Sequence, residues 1–217
     1  IDGDHRSLHP SPHDGLPILR AGQALNVESE NLTNAKDGEI NAGRNTLTTR
    51  GTLLNRGLID GGYTRLNADT LTNIGTGRIY GDAVGVNATT FNNLAENGTA
   101  ATLAGRERVD LGVTTLNNVD HGLIYSAGNM AIGGSLADNG AATGQAAAIN
   151  NHSSTIEPAG DMATKADPSN NLNARFSTEI VPVSQEPLTE YPHSGSTTPS
   201  QQGTANVYVD TNSSHGF

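Results

Sequence analysis

Three histidines near the start of the chain have a spacing that could bind a metal ion. His5, His9 and His13 are four residues apart, so a helix would place their imidazoles on one face. Pro10 and Pro12 fall inside this span and would break such a helix. The sequence therefore predicts an irregular, solvated segment here and no metal site.

Carboxylates are spread through the middle of the chain. They are Asp60, Asp69, Asp82, Glu96, Asp110 and Asp120. A polysaccharide lyase or hydrolase needs acidic and basic groups clustered on one wall, and these carboxylates do not recur at one register of the repeat described below. No glycine pair is followed by the Lys-Ser/Thr of a phosphate-binding loop. The sequence predicts no catalytic residue and no cofactor, so we expect a protein that is not an enzyme.

The positions of all these groups depend on a degenerate repeat between about residues 25 and 161. One element is an apolar residue, any residue and Asn, at 32–34, 53–55, 71–73, 91–93 and 116–118. A second is Gly, any residue and Ile, followed by a small-residue corner, at 38–40, 57–59, 77–79 and 122–124. A third is a short alternating strand, at 25–27, 66–68, 86–88, 109–111 and 130–132. Successive Asn separations of 21, 18, 20 and 25 give a unit of about 20 residues.

This repeat predicts an all-β fold, a parallel β-helix (solenoid) with three short strands in each coil of about 20 residues. Alternation along the strands turns Leu66, Leu71 and Ile79 inward. The inward Asn of each coil can form a hydrogen-bonded ladder with its equivalents. We expect an irregular lead-in or cap at 1–24, the β-helix at 25–165, and a Pro/Ser/Thr-rich extended tail or the start of a following region at 166–217.

Aromatic side chains are the candidate contact residues. Tyr80 and Tyr125 each follow a repeat isoleucine, so alternation turns both outward on one wall, where they could contact a receptor. Longer stretches at 94–102 and 138–147 and the segment after Phe176 interrupt the repeat, and loops on a rigid scaffold often carry recognition. Phe176 and Tyr191 are the nearest aromatic anchors to these irregular parts.

Composition and charge narrow the class of partner. The chain has 34% hydrophobic and 4% aromatic residues and no Cys, which suits a thin layered core without disulfides. A net charge of −10 disfavours nucleic acid and anionic membrane surfaces as partners. No apolar run approaches the length of about 18 residues that a membrane span needs, so no membrane span is predicted.

The repeat resembles the haemagglutinin repeat of filamentous-haemagglutinin-type exoproteins, which bacteria export by two-partner secretion. The resemblance rests on 25–43, 118–130 and 149–162 and covers about two thirds of the chain. It implies a right-handed β-helix that is secreted or held at the bacterial cell surface, with an outer-membrane transporter as its partner during export. It also implies an adhesive or structural role, contacting an outer-membrane protein or glycan on a neighbouring cell. Segment 170–181 is similar to the place where the stalks of contact-dependent growth-inhibition toxins leave the regular repeat.

Two other functions remain open at this point. Parallel β-helices also include polysaccharide lyases and hydrolases, and several carboxylates within about 5–10 Å of one another on one wall would favour such an enzyme. A surface-layer or biofilm-matrix module would have the same sequence features as an adhesive stalk.

Overall fold

The computed structural model describes residues 17–174, 184–190 and 201–207. None of these residues is helical, so no helix long and apolar enough to span a membrane occurs among them. The chain divides into two units, Ile1–Ala174 and Arg175–Phe217.

Residues 17–174, the described part of the first unit, contain sixteen strands. The first eight are β1 Ile18–Ser29, β2 Leu32–Asn34, β3 Glu39–Thr49, β4 Thr52–Asn55, β5 Leu58–Ile74, β6 Arg78–Glu96, β7 Thr99–Ala100 and β8 Thr102–Val119. The next eight are β9 Leu123–Ser126, β10 Asn129–Gly133, β11 Ser135–Leu136, β12 Ala142–Thr143, β13 Ala148–His152, β14 Thr155–Pro158, β15 Met162–Thr164 and β16 Ser169–Leu172.

Parallel pairing stacks these strands into seven coils, which confirms the predicted β-solenoid. One path of pairing runs β1-β3-β5-β6-β8-β10-β15, and the remaining parallel strands pair alongside it. Each coil has three walls, which we name by their inward residues. Wall 1 contains the register of Ile40, wall 2 that of Leu47 and wall 3 that of Leu71. Coils are numbered 1 to 7 by the inward asparagines of wall 3, which are Asn34, Asn55, Asn73, Asn93, Asn118, Asn151 and Asn171.

The inward asparagines form the predicted ladder. The Nδ2 of each donates to the Oδ1 of the next, at 2.8, 2.8, 2.9, 2.8, 2.9 and 2.9 Å from coil 1 to coil 7. The same Nδ2 groups also donate to backbone carbonyls at the corners, as Asn118 does to Gly122 O at 3.1 Å and Thr155 O at 2.9 Å. The ladder therefore gives corner carbonyls a second hydrogen bond, since Gly122 O also accepts one from the backbone N–H of Thr155 at 2.9 Å.

A second asparagine ladder runs along the outside of wall 3. Asn117 donates to Asn92, Asn150 to Asn117, and Asn170 to Asn150, with Nδ2–Oδ1 distances of 2.8, 2.9 and 2.9 Å. These side chains are half-buried, whereas the inward asparagines of coils 2 to 5 are 0% exposed. Adjacent residues on one strand thus place the same amide in two different environments.

The core lies inside the coils and consists mainly of aliphatic side chains, which stack on their equivalents from one coil to the next. Leu66, Leu71 and Ile79 are each 0% exposed, as the alternation predicts. Phe91 is the largest fully buried side chain and lies in register with Leu71 below it and Leu116 above it. Stacking equivalent side chains in this way removes their apolar surface from water without a second layer of structure.

The stack is longer at both ends than the sequence predicts. It begins at Ile18 rather than residue 25, because 18–21 pairs with 39–42 in the register of wall 1 without the repeat glycine that would reveal it. It ends at Leu172 rather than residue 165, because β16 pairs with β13. The lead-in predicted at 1–24 therefore includes residues that belong to β1.

Two coils are lengthened by insertions, as the loosened repeat predicts. Coils 5 and 6 follow their predecessors at ladder separations of 25 and 33 residues. The first insertion is an antiparallel hairpin of β7 with the end of β6, turned by Asn97 and Gly98 at φ 51° and 75°. Asn-Gly suits this two-residue turn because both positions need a positive φ. The second insertion is the antiparallel hairpin β11–β12.

The second unit contains one antiparallel hairpin among its described residues. It pairs β17 Ser184–Glu190 with β18 Gln201–Val207. The residue pattern at 205–209 predicts a short strand, which overlaps β18, whereas Pro187 within β17 gives no indication of its partner strand.

Candidate functional site

One outward column of wall 1 carries the two tyrosines singled out from the sequence. Asn41 pairs with Asp60, Tyr80 with Ala104, Ala104 with Tyr125, and Tyr125 with Glu157. The pairing of Ile59 with Ile79 brings Asp60 next to Tyr80. From coil 3 to coil 7 the column therefore reads Asp60, Tyr80, Ala104, Tyr125, Glu157. Both tyrosines are outward and half-buried.

The alanine between the tyrosines leaves a cavity, which we call the tyrosine notch (Tyr80, Ala104 and Tyr125). Its volume is about 320 Å³ and its lining is almost entirely apolar. Gly105, Arg106 and Ala127 complete the lining at the corner of the coil. The two tyrosines are two coils apart, or about 9.6 Å at about 4.8 Å per coil. The sequence indicates the shared wall, but insertion 94–101 obscures that coil 5 contributes an alanine at this register.

Arg106 is the polar residue of the notch, and the sequence analysis did not identify it. Its Nη2 donates to both carboxylate oxygens of Asp60 at 3.0 and 3.1 Å, and its Nη1 to Asp82 at 3.3 Å. The hydrogen bonds with Asp60 are the largest cause that raises the pKa of Arg106. One guanidinium thus bridges two carboxylates at the edge of the notch, which leaves this group with one net negative charge. Arg106 follows a repeat corner in coil 5 and lies 46 and 24 residues from these partners, so only the coil register could have revealed the contacts.

The other two predicted contact residues, Phe176 and Tyr191, lie outside the described residues. The segment after Phe176 is described only as the β17–β18 hairpin. Its role in recognition stays a prediction.

The insertion at 94–102 is tied to the stack by an ion pair. Arg56 donates from Nε and Nη2 to the two carboxylate oxygens of Glu96, each at 2.8 Å, across 40 residues of sequence. The hydrogen bond from Arg56 is the largest cause that holds the pKa of Glu96 below its usual value. A bidentate pair fixes the orientation of both groups. The hairpin is therefore an anchored projection whose tip, Asn97 and Gly98, is exposed.

We expect this ion pair to make stability depend on pH in the acid range. Because the pKa of Glu96 is lower in the folded than in the unfolded chain, the pair stabilises the fold at neutral pH. That contribution is lost as the pH falls through the folded-state pKa of Glu96. In denaturation experiments between pH 7 and pH 3, Glu96→Gln should be less stable than the unmodified chain at pH 7, and the difference should shrink on acidification. Glu107→Gln, at an exposed position, is the matched control and should show no such convergence.

The second insertion, where the sequence predicts a longer loop at 138–147, forms a hairpin that packs on the stack. The β11–β12 hairpin lies across the outside of wall 2, where Leu136 is only 7% exposed. The backbone N–H of Leu136 donates to Asn87 Oδ1 at 3.1 Å, and Arg65 Nη1 donates to Ala137 O at 3.1 Å. A Cβ on Gly112 would collide with the backbone of the hairpin, so this glycine permits the close approach. The repeat does not predict this packing because the hairpin belongs to an insertion that the repeat pattern does not include.

Asp110 anchors this hairpin and is 3% exposed. Its carboxylate accepts hydrogen bonds from Arg108 Nε and Nη2, and from the backbone N–H of Ala142 at 2.9 Å. The hydrogen bonding with Asp110 is the largest cause that raises the pKa of Arg108. Asp110 therefore has a structural role, because its carboxylate is hydrogen-bonded to Arg108 and to the backbone of Ala142.

Asp110→Ala should release the β11–β12 hairpin while leaving the coils folded. The change removes a hydrogen bond to a charged acceptor, worth about 1.5–3 kcal/mol, from a part-buried contact. Amide exchange of 135–143 should accelerate by about tenfold or more, and limited proteolysis should cut within the hairpin. Asp138→Ala, at the exposed tip, should leave both measurements unchanged. Equal protection in the two variants would contradict the anchoring role.

Metal and catalytic groups can be assessed within residues 17–174 and the two strands of the second unit. There, no group of three or more His, Asp or Glu side chains is placed to hold a metal ion. The histidines at 5, 9 and 13 lie outside the described residues. Asp60 and Asp82 come together through Arg106, which forms an ion pair with each of them.

No protein-family model matches the chain, and no curated protein or solved structure matches it either.

Proposed function

We propose that this chain is an adhesive section of a secreted bacterial surface filament, and that the tyrosine notch contacts a partner on a neighbouring cell. The observation that carries the proposal is the notch itself. It is a formed apolar cavity between two half-buried tyrosines, in an outward column that ends in the carboxylates of Asp60 and Glu157. Tyrosine offers a large contact area with a hydrogen-bonding tip, which is why it is frequent at binding surfaces.

The geometry of the insertions supports placing the contact on wall 1. Both predicted loops are anchored, one through Arg56 and Glu96 and the other through Asp110. The β11–β12 hairpin packs on wall 2. Of the two insertions, the tip of the first hairpin is therefore the more accessible. A rigid wall with a preformed cavity loses little conformational entropy on binding.

The wider context is part of the same proposal. The repeat elements that resemble haemagglutinin repeats fall at equivalent positions in successive coils, which supports a filament of the two-partner-secreted type. Such a filament crosses the outer membrane through a dedicated transporter, and the absence of Cys suits export of an unfolded chain. The section could equally border the receptor-binding region of a contact-dependent growth-inhibition toxin.

Binding of the purified chain to intact bacteria and to host cells tests this function. We expect saturable binding that is lost in the Tyr80→Ala, Tyr125→Ala double variant. Removal of hairpin residues 95–100, or of the tail after residue 174, tests the alternative location in the irregular parts. Absence of binding to every cell type would overturn the adhesive function. Loss of binding on either deletion, with the tyrosine variant still binding, would move the contact away from wall 1.

A carbohydrate-processing enzyme is the second candidate, and the Asp60–Arg106–Asp82 group beside the notch is the observation that favours it. A lyase or hydrolase would shorten soluble polysaccharides. Under the adhesive proposal, no shortening is expected from the purified chain. Cleavage that disappears in Asp60→Asn, with folding retained, would establish the enzyme instead.

A further inference from the structure

We propose that the tyrosine notch binds one uncharged hexopyranose ring of a cell-surface glycan, with the ring inserted between Tyr80 and Tyr125 above Ala104. This inference rests on the proposed adhesive function and names the chemical class of its partner. It is carried by three observations: the spacing of the tyrosines, the apolar lining between them, and the charges at the ends of the column.

The spacing fits a puckered ring better than a flat one. The tyrosines are two coil rises apart, about 9.6 Å. A flat ring in contact with both tyrosines needs only about 7–8 Å, twice the optimal carbon–carbon separation. A pyranose chair is thicker because it is puckered and carries axial C–H bonds, so it takes up the remaining space of about 2 Å. Ala104 leaves this space open, since any larger side chain at its register would fill the space between the tyrosines.

The lining fits the mixed surface of a sugar. A pyranose has C–H groups on its faces and hydroxyls around its edge. The apolar cavity would cover the C–H faces, while the edge would reach the Asp60–Arg106 ion pair at the coil corner. This pair offers both acceptor and donor groups close together, as a set of vicinal hydroxyls requires. Small-molecule sites commonly combine an apolar surface with a few such polar groups.

The charges around the tyrosine notch favour an uncharged ring over an anionic or a cationic one. The column carries a carboxylate on the far side of each tyrosine, Asp60 in coil 3 and Glu157 in coil 7. Together with the net charge of −10, these groups disfavour uronic acids, sialic acids and phosphorylated sugars. A cation such as a quaternary ammonium would gain from the tyrosine faces, but it would lose hydration in a cavity whose lining is almost entirely apolar, and the carboxylates of Asp60 and Asp82 are already paired with Arg106. A neutral ring avoids the repulsion that an anion would meet and the loss of hydration that a cation would meet.

The test is an NMR titration of the whole chain carrying labelled tyrosine. The probes are cellotriose, maltotriose, mannotriose and tri-N-acetylchitotriose, with trigalacturonate and choline for comparison. We expect at least one neutral trisaccharide to shift the ring resonances of Tyr80 and Tyr125 saturably, with a dissociation constant of the order of 1 mM. Trigalacturonate and choline should cause no saturable shift at the same concentrations.

Two matched variants make the result specific to the notch. Ala104→Leu fills the space between the tyrosines at an outward, half-buried position and should weaken binding by about tenfold or more. Thr72→Leu introduces the same side chain at an outward, half-buried position of wall 3, where the preceding coil already has Leu54, and should leave binding unchanged. Circular dichroism of both variants checks that the coils remain folded.

Three outcomes would overturn the inference: no saturable shift with any neutral trisaccharide, tighter binding of choline or trigalacturonate, or equal binding by the Ala104→Leu and Thr72→Leu variants. None of these depends on whether the chain adheres to cells. If cells are bound through Tyr80 and Tyr125 while no sugar is, the adhesive function stands and the partner is a protein.

Discussion

Leu71→Asp should reduce the free energy of unfolding by several kcal/mol and is expected to prevent stable folding of the coils around it. Leu71 is 0% exposed and lies between Leu53 of coil 2 and Phe91 of coil 4. A carboxylate there would be surrounded by aliphatic and aromatic carbon without a partner, and an unpaired buried charge is among the most costly changes a protein core can undergo. Urea denaturation followed by circular dichroism measures the loss.

Two further variants keep this prediction informative if Leu71→Asp does not fold. Leu71→Ala removes apolar contact without adding charge and should cost about 2–5 kcal/mol. Thr89→Asp adds the same charge at an exposed corner and should change stability by no more than about 0.5 kcal/mol. Similar losses for Leu71→Asp and Thr89→Asp would contradict the inward position of Leu71.

Arg78 would be a poor choice of exposed control, although alternation turns its side chain outward. Its Nη1 donates to the carbonyl oxygens of Gly75, Gly77 and Ala100 at 3.2, 2.8 and 3.1 Å. Arg78→Asp would remove these donors and place a negative charge among three carbonyls. We therefore expect a clear destabilisation at Arg78, where the alternation pattern by itself predicts almost none.

Asn93→Ala should destabilise the chain by about 3–5 kcal/mol, far more than Asn92→Ala. Asn93 Nδ2 donates to Asn118 Oδ1 at 2.8 Å, Leu123 O at 3.2 Å and Ala101 O at 3.3 Å, and its Oδ1 accepts from Asn73. Removing it takes the donor from the buried Asn118 Oδ1, which costs about 1–3 kcal/mol, and takes one hydrogen bond each from Asn73 Nδ2, Leu123 O and Ala101 O, which costs about 0.5–1.5 kcal/mol each. Thermal or urea denaturation gives the comparison.

Asn92 is the matched control because it is the same residue type on the same strand. It faces outward, is half-buried, and belongs to the outer ladder, where water can replace a lost amide. Its removal should cost no more than about 1 kcal/mol. Equal losses at the two positions would mean that the inner ladder adds nothing beyond the strand pairing.

The coil structure could be predicted because the same residue pattern recurs in successive coils. The separation of the inward asparagines and the alternation at Leu66, Leu71 and Ile79 each give the register directly, and the structure confirms both. The start at Ile18 was missed because the first coil lacks the repeat glycine. A repeat pattern identifies typical coils better than terminal ones, whose outer faces differ.

The contacts that depend on insertions and corners could not be predicted from the repeat. Arg56 and Glu96 are 40 residues apart, and Leu136 reaches Asn87 across 49 residues. Neither pair has a sequence signature, because nothing in a single chain fixes where an insertion folds. The tyrosine notch could be predicted only in part. The outward direction of Tyr80 and Tyr125 follows from alternation, but the gap between them requires the register of Ala104, which insertion 94–101 shifts.

The inner ladder also determines how the stack should respond to mechanical force. Each coil is bonded to its immediate neighbours, and ladder separations are only 18 to 33 residues. Tension applied to the two ends of the stack should therefore peel off one coil at a time, without a single cooperative rupture. At about 3.5 Å of extended chain per residue, the released lengths would range from about 60 to about 115 Å. The longest step should belong to the coil that contains the β11–β12 hairpin, since that coil stores the most chain between two rungs of the ladder. A filament built this way would lengthen under shear by yielding successive coils while the remaining coils stay folded.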